Sequence, residues 1–183
     1  EFRRRNITDE RWLGVLDAAA KAANWAPRPA PAGVSDGGIV RGRGIGLGTH
    51  LSSWGGAVAE VEVDLETGKY QLVDYVAVGD VGTVLHPRAL MGQLMGGSML
   101  GIGHAIGQKW VYDQHYGVPL AKRMYQTRPP SILDAPRNVQ LDAVNLPDPE
   151  TPVGARGVGE PPVGAGFSAV INAIANAVGP DVF

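Results

Sequence analysis

The stretch that decides the fold reads AVAEVEVD at 57–64, LETG at 65–68 and YQLVDYVAV at 70–78. The first segment alternates apolar and polar residues, which is the two-residue period of a half-buried β-strand. The second segment supplies Gly68 to a tight turn. The sequence therefore predicts a β-hairpin whose first strand buries Val61 and Val63 in a core. Glu60, Glu62 and Asp64 should face solvent, and the alternative is that these acids line a site.

The sequence predicts two more strands, one before this hairpin along the chain and one after it. Residues 42–48 read GRGIGLG, which is too rich in glycine for a stable helix and suits a strand over which another backbone passes closely. Residues 138–145 alternate apolar and polar side chains loosely and also indicate a strand. Because prolines interrupt the chain ahead of that strand, residues 128–137 should be extended and irregular.

Three helices complete the predicted fold. One covers about 8–24 with Thr8 as its cap. Another covers 88–107 after Pro87 and is rich in glycine, which costs up to about 1 kcal/mol per residue in a helix interior unless tight packing compensates. The last runs from about Pro162 to Val178, with an apolar stripe of Phe167, Val170, Ile171, Ile174 and Val178. The predicted class is α+β: a β-hairpin and mixed sheet packed with a glycine-rich helix and a C-terminal helix.

The composition narrows the classes of function. A chain of 183 residues, 44% of them hydrophobic and 19% charged, is an ordinary globular one. A net charge of −2 gives no electrostatic footprint for nucleic acid or acidic membranes. The lack of cysteine removes disulfides, thiolate metal sites and cysteine-ligated iron–sulfur clusters from this chain. No apolar run reaches the roughly 18 residues of a membrane span, so we expect a soluble cytoplasmic protein, with the periplasm as the alternative.

The loop GVGEPP at 157–162 is the strongest candidate for a functional site. Two glycines let the backbone bend, two prolines fix its exit direction, and Glu160 falls just before the last helix. The alternative is an acid placed there only because a helix N-terminus favours negative charge, an effect of under about 1 kcal/mol. Composition and spacing leave both interpretations open.

A second candidate lies on the glycine-rich helix. Gln93, within MGQLMGG at 91–97, is the one long polar side chain among apolar neighbours, and its amide offers a cofactor both a donor and an acceptor. The alternative is a glutamine satisfied in the core or on the helix surface. The histidines are scattered without metal-ligand spacing, so no protein-ligated metal is expected and any metal should arrive on an organic cofactor.

Five segments in order resemble the molybdopterin-binding large subunits of the xanthine dehydrogenase and aldehyde oxidase family. They are EFRRRN (1–6), AEVEVD (59–64), DVGTVLHP (80–87), GQLMGG followed by GIG (92–97 and 101–103) and ARGVGEPP (155–162). The resemblance covers almost the whole chain and implies that residues 1–183 are the C-terminal portion of a molybdopterin-binding domain. Residues 1–41 would be a helix with a proline-rich connector, and residues 42–183 the cofactor and active-site part.

The resemblance also implies a chemistry. Glu160 would be the general base that helps a water-derived oxygen at a molybdenum–molybdopterin centre attack an electron-poor carbon of an N-heterocycle or aldehyde. Gln93, Gly92 and Gly159 would contact the cofactor, in its plain or cytosine dinucleotide form, and Arg156 would orient the small-molecule substrate. The 2Fe-2S clusters and FAD would lie on partner domains or subunits, and the remainder of the large subunit would complete the site.

Two residues depart from the family pattern. His86 stands where asparagine is usual, and Met95 replaces the usual glutamate, so the geometry beside the cofactor is left open. Two hypotheses from other classes also remain. One is a noncatalytic assembly module of a multi-subunit complex. The other is a flavin or nicotinamide binder that uses residues 42–48, although no strand and helix flank those glycines in the order such a site requires.

Overall fold

The computed structural model describes residues 1–26 and 38–179. In chain order the elements are α1 (Phe2–Asn6), α2 (Glu10–Ala22), β1 (Ile39–His50), β2 (Ser53–Asp64), β3 (Tyr70–Asp80), α3 (Pro87–Ile106), α4 (Met124–Thr127), a 3-10 turn (Ile132–Asp134), β4 (Asn138–Ala143) and α5 (Pro161–Val178).

The strands form one four-stranded sheet in the order β1-β2-β3-β4. The first three strands are antiparallel neighbours, whereas β4 runs parallel to β3. In the predicted hairpin Glu60 pairs with Asp74 and Val61 with Leu72, so Val73 is an extra residue that forms a bulge. The predicted α+β class and mixed sheet are confirmed.

Helices cover both faces of this sheet. On one face α5 and α3 enclose the larger core, which includes Val61, Val63 and Leu72. On the other face α2 packs over Val58 and Val76. The alternation of residues 57–64 predicted the larger core beneath α3 and α5. It could not predict that α2 covers the opposite face of the sheet.

The second layer changes the surroundings of the hairpin acids. Glu60 and Glu62 do point away from the larger core, but their side chains are only 12% and 20% exposed. Arg43 Nε lies 3.3 Å from a Glu60 carboxylate oxygen, and Arg41 pairs with Glu62. The prediction that these two acids simply face solvent is therefore wrong, because arginines of β1 cover them.

The backbone of α5 packs directly on the glycines of β1, as the glycine-rich sequence of this strand predicts. A Cβ added at Gly44 would lie 2.1 Å from the Ala169 carbonyl oxygen, and one at Gly46 would lie 2.2 Å from that of Ala165. Four residues of helix advance about 6.0 Å, and two residues of strand about 6.6 Å. The two repeats nearly match, so Gly42, Gly44 and Gly46 meet successive alanines of α5, and Gly48 meets Pro161 at the start of that helix.

The buried face of α5 is made of small residues. It comprises Ala165, Gly166, Ala169, Val170, Ala173 and Ala177. Phe167, which the apolar stripe places in the core, is 43% exposed. The predicted stripe is therefore confirmed for Val170, which is buried, and for Ile174 and Val178, which are partly buried against the larger core, but it is wrong for Phe167. Contact with a glycine strand selects the side chains that let two backbones approach and not the most apolar ones.

Helix α5 is also long and apolar enough, by length and composition alone, to cross a membrane. The expectation that no apolar run reaches that length is therefore wrong. However, 44% of this stretch is buried, and the helix packs along β1 and β2 and against α3. Its apolar composition is explained by this core position.

Smaller differences from the predicted elements concern ends and loops. Helix α2 is capped by Asp9, whose side chain accepts a hydrogen bond from the Trp12 amide at 3.0 Å, and not by Thr8. The predicted extended stretch 128–137 contains a 3-10 turn capped by Ser131. Most of the predicted proline-rich connector, residues 27–37, lies outside the described residues.

His86 caps the glycine-rich helix α3. Its Nδ1 accepts a hydrogen bond from the Ala89 amide at 3.1 Å. We expect His86→Ala to lower the free energy of unfolding by about 1 kcal/mol, because the amide loses its acceptor, whereas His86→Asn should keep the cap. Chemical denaturation of the purified protein compares the two variants. Equal destabilisation by both would contradict this role for His86.

Candidate active site

The loop that carries Glu160 is held firmly on its N-terminal side. The Arg156 amide donates to the Val81 carbonyl at 2.7 Å, and Ala155 forms a β-bridge with Gly82. Val158 then packs against a small core formed by Val81, Leu90 and Leu94. On the other side Pro161 is buried and begins α5. The loop therefore spans only a few residues between two fixed points.

Glu160 occupies the N-cap position of α5 without acting as a cap. Its side chain is exposed and accepts no hydrogen bond from the helix. Pro161 and Pro162 have no N–H to offer, and the Val163 amide donates to the Glu160 carbonyl at 2.9 Å. In the described part of the chain no side chain pairs with the Glu160 carboxylate. The carboxylate thus has no hydrogen-bonded role in starting the helix.

A cleft of about 330 Å³ opens beside this carboxylate. Its walls are the turn between β1 and β2 and the glutamate loop, namely His50, Leu51, Ser52, Ser53, Gly157, Val158, Gly159 and Glu160. Leu51 is 91% exposed and has a left-handed φ of 52° at the tip of the turn. A second cleft, which includes Arg156, shares Leu51 and Ser52 with the first.

Helix α3 reaches the same loop through its glycines. A Cβ at Gly97 would lie 2.9 Å from the Gly159 carbonyl oxygen. Gln93 is one turn earlier on the same side of the helix, and its side chain is exposed. Gly92 borders open space. Gln93 therefore lies on the side of α3 that contacts the glutamate loop, whereas Gly92 has no contact with that loop, and neither residue lines its cleft.

Arg156 lies in the second cleft and has protein partners. Its guanidinium pairs with Asp148 and, at 2.6 Å, with Glu150, and it lies 6.0 Å from the ring centroid of Trp54. Only 14% of its side chain is exposed. Sequence reasoning singled out Arg156 but missed Asp148 and Trp54, because these residues come from three segments and no local spacing connects them.

Within residues 1–26 and 38–179 no group of three or more histidine, aspartate or glutamate side chains could hold a metal ion.

The molybdopterin cofactor-binding domain family matches residues 41–136, which include Gly92 and Gln93. This range covers half of the sequence. The chain belongs to this family. The predicted family is thereby confirmed, and with it the molybdenum–molybdopterin cofactor that the resemblance implied.

The molybdopterin-binding chain is similar to several curated proteins. It is 31% identical over 140 residues to a probable hypoxanthine oxidase of Escherichia coli (strain K12), covering 74% of this chain and 14% of that protein. It is 31% identical over 140 residues to an aldehyde oxidoreductase of Megalodesulfovibrio gigas, covering 76% of this chain and 15% of that enzyme. This chain thus spans about a seventh of the length of these relatives.

Solved structures show the same fold. Quinoline 2-oxidoreductase from Pseudomonas putida 86 superposes with a TM-score of 0.63 at 30% identity, covering 69% of this chain and 16% of that one. A Cu,Mo-CO dehydrogenase superposes with a TM-score of 0.62 at 30% identity, covering 68% of this chain and 16% of that one.

The flavin or nicotinamide hypothesis is contradicted by the position of its glycines. Residues 42–48 form the middle of β1 and not a strand-to-helix turn. The backbone of α5 already occupies the space in front of Gly42, Gly44, Gly46 and Gly48. A dinucleotide phosphate therefore cannot reach them.

Proposed function

We propose that this chain belongs to a molybdenum hydroxylase and supplies its general base, Glu160, for the hydroxylation of an electron-poor carbon in an N-heterocycle or an aldehyde. The observation that carries the proposal is the exposed, unpaired carboxylate of Glu160 at the edge of a cleft, in a chain of the molybdopterin-binding family. When bound, the cofactor supplies a two-electron acceptor and a water-derived oxygen.

The protein's own contribution is a proton acceptor held in place. Glu160 can accept the proton of the water-derived oxygen as this oxygen attacks the substrate, because no neighbouring cation or amide in the described residues occupies its carboxylate. General-base help of this kind is worth about 10² to 10⁴ in rate. The short tether between Arg156 and Pro161 limits how far the carboxylate can move, which favours a reactive geometry.

The exposed side of α3 fits a cofactor with a polar edge. Gly92 and Gly96 leave space that a side chain would fill, and the Gln93 amide between them offers a donor and an acceptor. Gly159 lies where α3 meets the glutamate loop. We propose that Gln93, Gly92 and Gly159 hold the molybdenum cofactor, in its plain or cytosine dinucleotide form, with Glu160 at its reactive end.

The remaining components of the enzyme lie outside this chain in our proposal. Residues 1–183 are the C-terminal portion of the molybdopterin-binding domain, and residues 42–183 carry its active-site part. Large apolar side chains between α3 and β4 are exposed, among them Trp110 at 73%, Tyr125 at 72% and Leu133 at 90%, as expected of a surface that the remainder of the large subunit covers. The 2Fe-2S and FAD centres belong to partner domains or subunits, in the cytoplasm or, alternatively, the periplasm.

The same exposed apolar surface is what a noncatalytic assembly module would present, so this second function keeps one observation in its favour. Elemental analysis of the purified full-length protein separates the two. An enzyme should contain molybdenum and lose its turnover when Glu160 becomes glutamine. A protein that assembles with its partners but carries no molybdenum would be the module instead.

A substitution on α3 tests the proposed cofactor side. We expect Gly92→Ala to strengthen the helix by up to about 1 kcal/mol, since no atom lies within 4 Å of the added Cβ. The same methyl group should lower the molybdopterin content, because it fills the space proposed for the cofactor. Thermal unfolding and fluorimetric pterin assay measure the two effects. Gly14→Ala on α2, equally open, is the control and should raise stability at full pterin content.

A further inference from the structure

We propose that Arg156 is a positioning residue that acts through Glu160 and does not contact the substrate. Together with Arg11 it clamps the loop 145–156 around Trp54, and this clamp fixes the N-terminal end of the glutamate loop. The inference rests on the proposed role of Glu160 as the base.

Trp54 lies between two guanidinium groups that come from opposite ends of the chain. The Arg11 guanidinium carbon is 5.8 Å from the ring centroid and that of Arg156 is 6.0 Å away. Both distances lie within the range of cation–π attraction. Trp54 stands near the start of β2 and is paired with Asp80 at the end of β3, so the two arginines gather at one end of the sheet.

Arg11 fastens the first part of the loop. It donates to Asp80 Oδ1 at 2.9 Å and to the carbonyl oxygens of Leu146 at 3.1 Å and Pro147 at 2.7 Å. Asp80 is fully buried, and its Oδ1 also accepts from the Gly82 amide at 3.0 Å. The loop is thereby tied to the end of β3.

Arg156 fastens the second part of the loop. Its partner Asp148 is 3% exposed, and the Asp148 amide donates to the Gly154 carbonyl at 2.8 Å. The Thr83 amide donates to the same carbonyl at 2.6 Å. A buried carboxylate needs a cation close by, so Asp148 holds Arg156 and the backbone at this point.

The clamp controls Glu160 because so little chain separates them. Only Gly157, Val158 and Gly159 intervene, and the two glycines give this segment little stiffness of its own, so its path depends on its fixed ends at Arg156 and Pro161. Val158 alone packs on the core. Since Arg156 lines the neighbouring cleft and not the one beside Glu160, its effect on the reaction passes through the backbone.

The first test uses the full-length holoenzyme. We expect Arg156→Ala to lower kcat about 10- to 100-fold, the size of effect that a misplacement of about 1 Å can have, with KM changed less than about threefold and molybdenum retained. Arg156→Lys should recover part of kcat, because lysine keeps the charge beside Asp148 but lacks the planar fork. Arg4→Ala removes an exposed pair with Asp17 on the first helices and is the control. It should leave kcat unchanged.

Hydrogen exchange provides a readout that does not depend on turnover. In Arg156→Ala the amides of Asp148, Gly154 and Arg156, which donate hydrogen bonds within the clamp, should exchange faster, whereas those in the middle of α5 should exchange as in the wild type. Unchanged exchange in both segments would overturn the proposal. If Arg156→Ala does not accumulate, Arg156→Lys takes its place, and wild-type kcat in that variant would equally overturn it.

A double variant separates positioning from other roles. In single-turnover reduction by substrate, Arg156→Ala should have almost no further effect in a Glu160→Gln background, because its influence passes through Glu160. An equal fractional loss in both backgrounds, or a raised KM at constant kcat, would show a role independent of the base. If Glu160→Gln itself turns over normally, the proposed function fails. If only Arg156→Ala is without effect, this inference alone fails.

Discussion

Glu160→Gln is expected to lower kcat by about 10² to 10⁴ while the enzyme keeps its molybdenum. Glutamine has nearly the shape of glutamate but cannot accept the proton. The Glu160 side chain makes no hydrogen bond within the described residues, so its replacement removes no contact that holds the loop or starts α5. The loss should therefore appear in the chemical step and not in folding or cofactor content.

Matched variants make this measurement specific. Glu66→Gln changes an exposed acid at the tip of the β2–β3 turn and should leave kcat within about twofold. Glu160→Asp keeps the carboxylate but withdraws it by one methylene, so its kcat should fall between those of the wild type and Glu160→Gln. Steady-state kinetics and molybdenum analysis are made on the same preparations. Normal turnover in Glu160→Gln at full molybdenum content would refute the general-base assignment.

Gly44→Ala is expected to destabilise the fold by about 3 kcal/mol or more. The added Cβ would lie 2.1 Å from the Ala169 carbonyl oxygen and 2.2 Å from the Ala173 amide nitrogen. Both are backbone atoms of α5, so no side chain can rotate away and the whole helix must move. Overpacking that side chains can absorb costs about 1 to 3 kcal/mol, and a collision between two backbones should reach at least the upper end of that range.

Replacement of Gly14 by alanine should instead raise the free energy of unfolding. Gly14 lies inside α2, and no atom is within 4 Å of its added Cβ. Alanine there should stabilise the protein by about 0.5 to 1 kcal/mol through its better helix propensity. Denaturant unfolding of both variants compares the pair directly. A Gly44→Ala protein with an unchanged transition midpoint would contradict the close contact between β1 and α5.

Local patterns in the sequence predicted an element well where the residues of that element alone determine its structure. The alternation of residues 57–64 predicts β2, and the glycines of residues 42–48 predict a strand under another backbone. The same reasoning failed in part for the buried face of α5. A stripe chosen by side-chain hydrophobicity selects Phe167, but the glycine face of β1 requires alanines at the contact.

The candidate site was predictable only in part. The GVGEPP loop singled out Glu160, although composition and spacing alone favoured a helix-start acid and only the family resemblance favoured a general base. The structure shows that the Glu160 side chain makes no capping bond to α5. No local pattern in the sequence could predict the clamp, because Arg11 is separated by 69 residues from Asp80 and by 135 residues from Leu146, to which it donates hydrogen bonds. Such pairings depend on how the sheet arranges distant segments.

The contact between β1 and α5 also restricts how this protein can change during evolution. Because alanines of α5 meet glycines of β1 at matched intervals, the helix can shift along the strand only in steps of about 6 Å. Deleting one residue within α5 would break this match and rotate Glu160 by about 100° around the helix axis. Sequence changes near Glu160 should therefore be tolerated better as exchanges of side chains around the cleft, as at Leu51, than as insertions or deletions.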